Sequence, residues 1–412
     1  MTTTIDAALH TARQAVPLLR SAPADLRSRA IALMAELVKA RRDDILEANT
    51  LDLEASREMA IPALILDWLK LTPERLTAAV EILERLAQCP DPLNQVSATP
   101  YAASQGLVVG QSMPLGIVAL IYESFPELSS IMAGFSLRTG NALILKGGSE
   151  ASHSNCAIAK VLQEALDEVG LPECSVQLLP SDQGDLVREL VTVNRAVNLV
   201  IPYGRRSLVN QVVAQATVPV LKTTIGNCYL YWGRSGAVDL VRHIVIDSHK
   251  SEPDPVNAVE KVLIDQRCDD RQTRELIDAL ATVGFKLKGD AVMLAKFPDL
   301  VAADDEEWTQ THLNRTVTFK MVENAEQAAQ WINRYSSGHA DCLVTDSYSE
   351  SRRFTTAITS ATVYVNTSPR FSRISSQGYP LFLGMSNDRG HYRGPITLGM
   401  LTTLKQVMQG PV

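Results

Sequence analysis

No two cysteines in this sequence stand close enough to form a chelating pair. The six, Cys89, Cys156, Cys174, Cys228, Cys268 and Cys342, are scattered, and no CxxC or Cys/His cluster has metal spacing. That excludes a structural zinc site and predicts reduced thiols in a cytoplasmic protein. Cationic excess is absent as well. The net charge is -7, so the Lys and Arg needed to coat a phosphate backbone are not available, which argues against nucleic acid as a partner. No apolar run is long enough to cross a bilayer, so no membrane partner is expected. The N-terminal "MTTTIDAALHTARQ" shows no basic region followed by an apolar stretch. Neither GxGxxG, a P-loop nor a GxSxG elbow occurs, and there is no internal repeat or low-complexity tract.

What is present suits large cores. Hydrophobic residues make up 46% of the 412 and charged residues 21%. The first ninety residues carry apolar positions at helical spacing, and Thr72-Pro73-Glu74 has the chemistry of a helix start. Residues 90–113 read as a linker and extended hairpin. Short apolar strands then alternate with helices: 116–122, 141–146, 175–180, 196–202 and 218–224. A second series has strands at 258–265, 316–322, 341–345 and 362–366, with helices between them. Continuous apolar strands alternating with helices indicate an α/β fold with parallel, doubly wound sheets.

Two strand ends carry candidate chemistry. In "NALILKGGSE", Lys146 ends a strand, and Ser149 or the free N–H groups of the following helix would suit an anion. A tight turn with a solvated lysine fits the same spacing. In "IPYGRRS", Gly204 permits a turn, and Arg205 and Arg206 would suit a phosphate or simply stand exposed. Cys228 opens an apolar strand and reads as packing. Cys268, flanked by acids, makes a poor nucleophile. His339 suits a turn better than a metal.

The segments "GIVALIYESFP", "GNALILKGGSE", "NLVIPYG", "NAVEKVLID", "SSGHADCLVT", "VYVNTSPRF" and "RGPITLGMLTTLK", in this order, resemble the γ-glutamyl phosphate reductases (glutamate-5-semialdehyde dehydrogenases) of the aldehyde dehydrogenase superfamily. The resemblance implies an aldehyde-dehydrogenase-like fold. A cofactor-binding domain would span 1–228, with a hairpin at about 95–113 for oligomerisation. A catalytic domain would span 229–385, and 386–412 would return to the first region. It implies NADPH as cofactor, reduction of L-glutamyl 5-phosphate in proline biosynthesis, and a homo-oligomer (dimer or tetramer). Glutamate kinase or a reductase paralogue is the implied partner. By position, Lys146, Ser149, Glu150, Gly204 and Arg205 fall to the cofactor, and Glu123, Asn366 and Arg370 to the substrate. The family's nucleophile loop aligns with "SEPDPVNAVE", where Pro253, Asn257, Val259 and Glu260 agree and the cysteine falls on Val256. A valine has no lone pair with which to attack an acyl phosphate. Lys222, Arg373 to Ser375 and Gly378 to Phe382 also depart from the pattern. The readings that follow are an enzyme of altered chemistry, a non-catalytic scaffold binding a metabolite or partner, or a reductase using a substitute thiol such as Cys228.

Overall fold

The computed structural model describes residues 4–59, 61–98, 107–181, 186–192, 196–251, 253, 255–374, 380–388, 390 and 392–409. Glu252 and Asp254 of the candidate loop, residues 99–106 of the expected hairpin, and the departing positions Ser375, Gly378 and Tyr379 lie outside these. The chain divides into two compact units. One comprises Met1–Thr223, Arg373–Gly384 and Ile396–Val412; the other comprises Thr224–Ser372 and Met385–Pro395.

The first unit opens with the helices Thr4–Ser21, Ala24–Ala40, Arg42–Glu58, Ala63–Leu69 and Pro73–Gln88. Thr72 caps the last of them as its sequence predicts, accepting the Arg75 N–H at 3.2 Å, with Pro73 in the first turn. Four parallel strands follow, in the order Val176–Leu178, Ala142–Gly147, Ile117–Tyr122 and Leu199–Tyr203. The two central strands are buried along their whole length, because helices cover both faces. The helix Pro126–Arg138 is buried at every residue. Its Gly134 permits this: a Cβ there would lie 2.7 Å from Leu83 and 2.8 Å from Leu86.

The strand expected over 218–224 does not form. Val220 makes one bridge to Val200, and the neighbouring Pro219 has no N–H with which to extend the ladder. An antiparallel sheet of Val96–Ala98, Leu107–Pro114 and Thr402–Gln409 completes this unit. It exposes Val96, Leu404 and Met408 by 65%, 64% and 71%.

The second unit holds a seven-stranded parallel sheet, in the order Val301–Ala302, Lys286–Gly289, Thr316–Val322, Val259–Asp265, Cys228–Trp232, Ala340–Val344 and Thr362–Val365. Lys288, Thr318 and Lys261 are lateral neighbours on three adjacent strands. All three reach Glu307. Its carboxylate accepts from Thr318 Oγ1 at 2.6 Å, Lys288 Nζ at 2.5 Å, Lys261 Nζ at 3.4 Å and the His312 ring. Burial pushes the Glu307 carboxyl up, but these donors more than offset it and hold it at about 2. Lys261 is fully buried, which lowers its pKa. Among the described residues no helix is long and apolar enough to cross a membrane, and no group of three His, Cys, Asp or Glu could hold a metal ion.

Candidate functional site

In the first unit, the strand register aligns Tyr122 with both Gly147 and Tyr203. The residues just beyond, Glu123, Gly148 and Gly204, are therefore brought together at the carboxyl edge of the sheet, where open α/β sheets bind ligands. Gly204 has a φ of +144°, and a Cβ there would lie 3.0 Å from the Glu123 side chain. Both facts require glycine. The Arg205 guanidinium is held by Glu123 through Nε at 3.0 Å and Nη2 at 2.9 Å, and its backbone N–H donates to the same carboxylate. Glu150 accepts the Ser124 N–H at 2.8 Å, and its carboxylate covers Gly148, where a Cβ would lie 2.2 Å away. Lys146 is buried and donates to the Gly147 carbonyl at 3.1 Å. Ser149 is exposed.

Beside this edge lies a cavity of about 330 Å³, lined by Gly147, Ser152, Asn155, Cys156, Leu178 and Pro180. Its apolar wall suits a planar ring, and Asn155, buried and anchored by the Tyr122 hydroxyl at 2.9 Å, presents an amide. The following helix, Ser152–Glu168, differs from the sequence expectation. Its N-terminal N–H groups already hold an anion from the chain: His153 and Ser154 donate to the Asp52 carboxylate at 3.0 and 2.8 Å. Asp52 is about a hundred residues away in sequence and carries no motif that could have revealed it.

In the second unit, Val256 and Asn257 form the turn that leads into the strand Val259–Asp265. The Val256 side chain is 1% exposed. Its carbonyl accepts the Gly226 N–H at 3.0 Å and the His339 ring at 2.9 Å. Asn257 is buried and donates to the Pro369 carbonyl at 2.9 Å, while its Oδ1 is buried with no donor. Cys228 lies beneath the turn, with Sγ 3.3 Å from His339 Nε2 and 3.9 Å from the Val256 carbonyl. Burial, followed by the nearby Asp341 charge, pushes this thiol well above its ordinary value, so it supplies no thiolate. Burial pushes the Cys268 thiol up to about 12.

The substrate candidates divide. The Asn366 amide is committed to the Thr345 backbone, at 3.0 and 2.8 Å. Among the described residues the Arg370 guanidinium makes long contacts, to Asp247 at 3.6 Å and the Lys250 carbonyl at 3.5 Å. Glu123 belongs to the first unit, locked to Arg205.

His339 makes a testable case. Burial pushes its imidazole down to about 4, opposed in part by its bond to Val256. A carbonyl only accepts, so Nε2 carries the proton, and Nδ1 accepts from Ser337 Oγ at 2.8 Å. A folded value below the ordinary 6.5 of an imidazole contributes stability that is present above that pH and lost as pH falls toward about 4. The deficit of a His339→Gln variant should therefore shrink by about 2–3 kcal/mol between roughly pH 7.5 and 4.5, as read by urea unfolding. A deficit independent of pH would show that the imidazole titrates alike in the folded and unfolded states, so that burial does not depress it. The neighbouring Asp341, pushed up to about 7 by burial, has the opposite sign: it loses stability as pH rises through that value. The variant must therefore be compared with the parent at each pH.

Comparison with known proteins agrees with this architecture. The aldehyde dehydrogenase family pattern matches residues 1–227. "Gamma-glutamyl phosphate reductase 2" of Synechocystis sp. is 50% identical over 385 residues, covering 93% of this chain and 92% of that protein. The gamma-glutamyl phosphate reductase of Gloeobacter violaceus is 37% identical over 97% of this chain and 95% of its own. The crystal structure of the Thermotoga maritima gamma-glutamyl phosphate reductase superposes with a TM-score of 0.91 at 32% identity, covering 98% of both chains. Fold, length and sequence agree throughout: the chain belongs to the gamma-glutamyl phosphate reductases of the aldehyde dehydrogenase family.

Proposed function

We propose that this chain binds a nicotinamide cofactor in its first unit and a glutamyl-type substrate in its second, but lacks the covalent route by which the family reduces L-glutamyl 5-phosphate. The observation that carries this reading is Val256. In the family's route a thiolate bonds to the acyl carbon and the C–O bond to phosphate breaks. No sulfur stands at position 256, and the Cys228 thiol beneath it is buried and protonated. The cavity beside Gly147 fits an adenine-sized ring, and Lys146 and Ser149 suit the adenosine end of NADPH. When bound, a reduced nicotinamide supplies hydride. Arg370, whose guanidinium makes long contacts among the described residues, is the group we assign to a substrate carboxylate. The unpaired Oδ1 of Asn257 supports a functional turn, since a buried acceptor without a donor costs about 1–3 kcal/mol and calls for a reason.

Calorimetric titration with NADPH tests the cofactor half. Saturable binding is the expected result, and no binding at millimolar cofactor would refute it.

A second reading is a non-catalytic scaffold. It is favoured by the Glu123–Arg205 lock and by Asp52 on the helix N-terminus, which remove two groups a ligand would use. The exposed Val96, Leu404 and Met408 of the three-stranded sheet support self-association into a homo-oligomer, and a reductase paralogue or glutamate kinase would be the other partner. Free cysteines throughout the described residues fit a cytoplasmic setting.

A further inference from the structure

The first unit has a second cavity, of about 240 Å³, formed by the helices Thr4–Ser21 and Ala24–Ala40, the segment before Val96, and the strands Leu107–Pro114 and Thr402–Gln409. Its polar lining is Arg20, Arg27, Lys405, Asp91, Gln111 and Ser112. Three cations thus face one anion in a chain whose net charge is -7. Arg27 is 2% exposed. It gives Nη2 to Asp91 at 2.8 Å and Nη1 to the Ala22 carbonyl at 2.5 Å, and its Nε is buried with no acceptor. Asp91 is thereby neutralised, and it also accepts the Leu93 N–H at 3.0 Å. Arg20 and Lys405 are exposed at the cavity, and among the described residues neither has an acidic partner. Lys405 and Gln111 are register partners, so they stand side by side on one sheet face.

We infer that this cavity binds a small phosphate-bearing anion. Arg20 and Lys405 would neutralise it, and Gln111, on the same sheet face as Lys405, would donate a hydrogen bond. The charge balance selects an anion. The volume excludes a dinucleotide, since drug-sized sites begin at about 300 Å³. A ligand here would tie the first two helices to the sheet whose exposed apolar residues were assigned above to self-association.

Isothermal titration of the full chain with orthophosphate, and separately with glycerol phosphate, at matched ionic strength tests the inference. Saturable binding of either is expected, and the tighter of the two identifies the source. The Arg20→Gln/Lys405→Gln double variant should weaken the affinity by at least about 10-fold, as expected for losing charge-assisted contacts. Lys39→Gln, which removes an exposed charge at the far end of Ala24–Ala40, should not change it. The comparison also separates this cavity from any phosphate held at the candidate site. Absence of saturable binding overturns the inference, as does equal affinity in all three proteins. A double variant that changes subunit assembly in phosphate-free buffer would also overturn it, showing that the cavity receives a second copy instead.

Discussion

Replacing Glu307 by alanine is expected to lower the unfolding free energy of the second unit by about 3–5 kcal/mol, the usual cost of leaving a buried charge without its partner. Glu307 is 1% exposed, and it is the acceptor on which Lys261, Lys288, Thr318 and His312 converge. Without it, the one carboxylate left to Lys261 among the described residues is Glu260, at 3.8 Å. Glu260 is itself occupied by the N–H groups of His312 and Leu313. The pH dependence is diagnostic. Burial already lowers the Lys261 pKa, and the variant removes the Glu307 charge that opposes this. Stability lost to a depressed lysine is recovered as pH rises toward the unfolded value, so the deficit should shrink between about pH 7 and pH 10. Three of the four tryptophans, Trp232, Trp308 and Trp331, lie in the second unit, so fluorescence-monitored urea unfolding reads the relevant transition. A deficit below about 1 kcal/mol would mean that the cluster is solvated rather than buried.

Val256→Cys alone is expected to fold but not to gain the family's reaction. The change is small in volume, so stability should stay within about 1.5 kcal/mol of the parent. Reactivity is another matter. An active cysteine needs a cation or helix dipole to hold it as thiolate. The side chain at 256 is buried, and the imidazole beside the turn, His339, is pushed down to about 4 and already donates to the residue 256 carbonyl. Arg205 is locked to Glu123, and Phe382 stands where the resemblance puts a glutamate near the nicotinamide ribose. Intact-mass measurement after incubation with an acyl phosphate should show no thioester adduct. Stoichiometric adduct and full turnover would instead show that the site around the turn is otherwise intact.

The architecture was legible in the sequence because parallel strands buried on both faces appear as unbroken apolar runs. Ile117–Tyr122 and Ala142–Gly147 need no partner to be recognised. Lys286–Gly289 and Val301–Ala302 were missed for the opposite reason: they are strands of four and two residues at one side of the sheet, too short for an unbroken apolar run, and the first is interrupted by Lys286 and Lys288. The site was less legible. Gly204 and Lys146 lie where their strands predicted. The partners that decide what neighbouring groups can do are distant in sequence: Glu123 for Arg205, Asp52 for the helix after Ser149, and His339 for the Val256 carbonyl. Such contacts come from strand register and helix packing, which local periodicity does not encode.

The central claim is that this chain retains the fold and the cofactor cavity of its family without the covalent step. The direct measurement is oxidation of glutamate-5-semialdehyde by the purified protein with NADP⁺ and phosphate, followed at the nicotinamide absorbance. A preparation of the Thermotoga maritima relative serves as positive control, and a mock purification measures contamination. Saturable cofactor binding with no turnover above the mock is the predicted result. Turnover above the mock would contradict the account, since it would require a nucleophile at a position other than Val256 or a route that needs none.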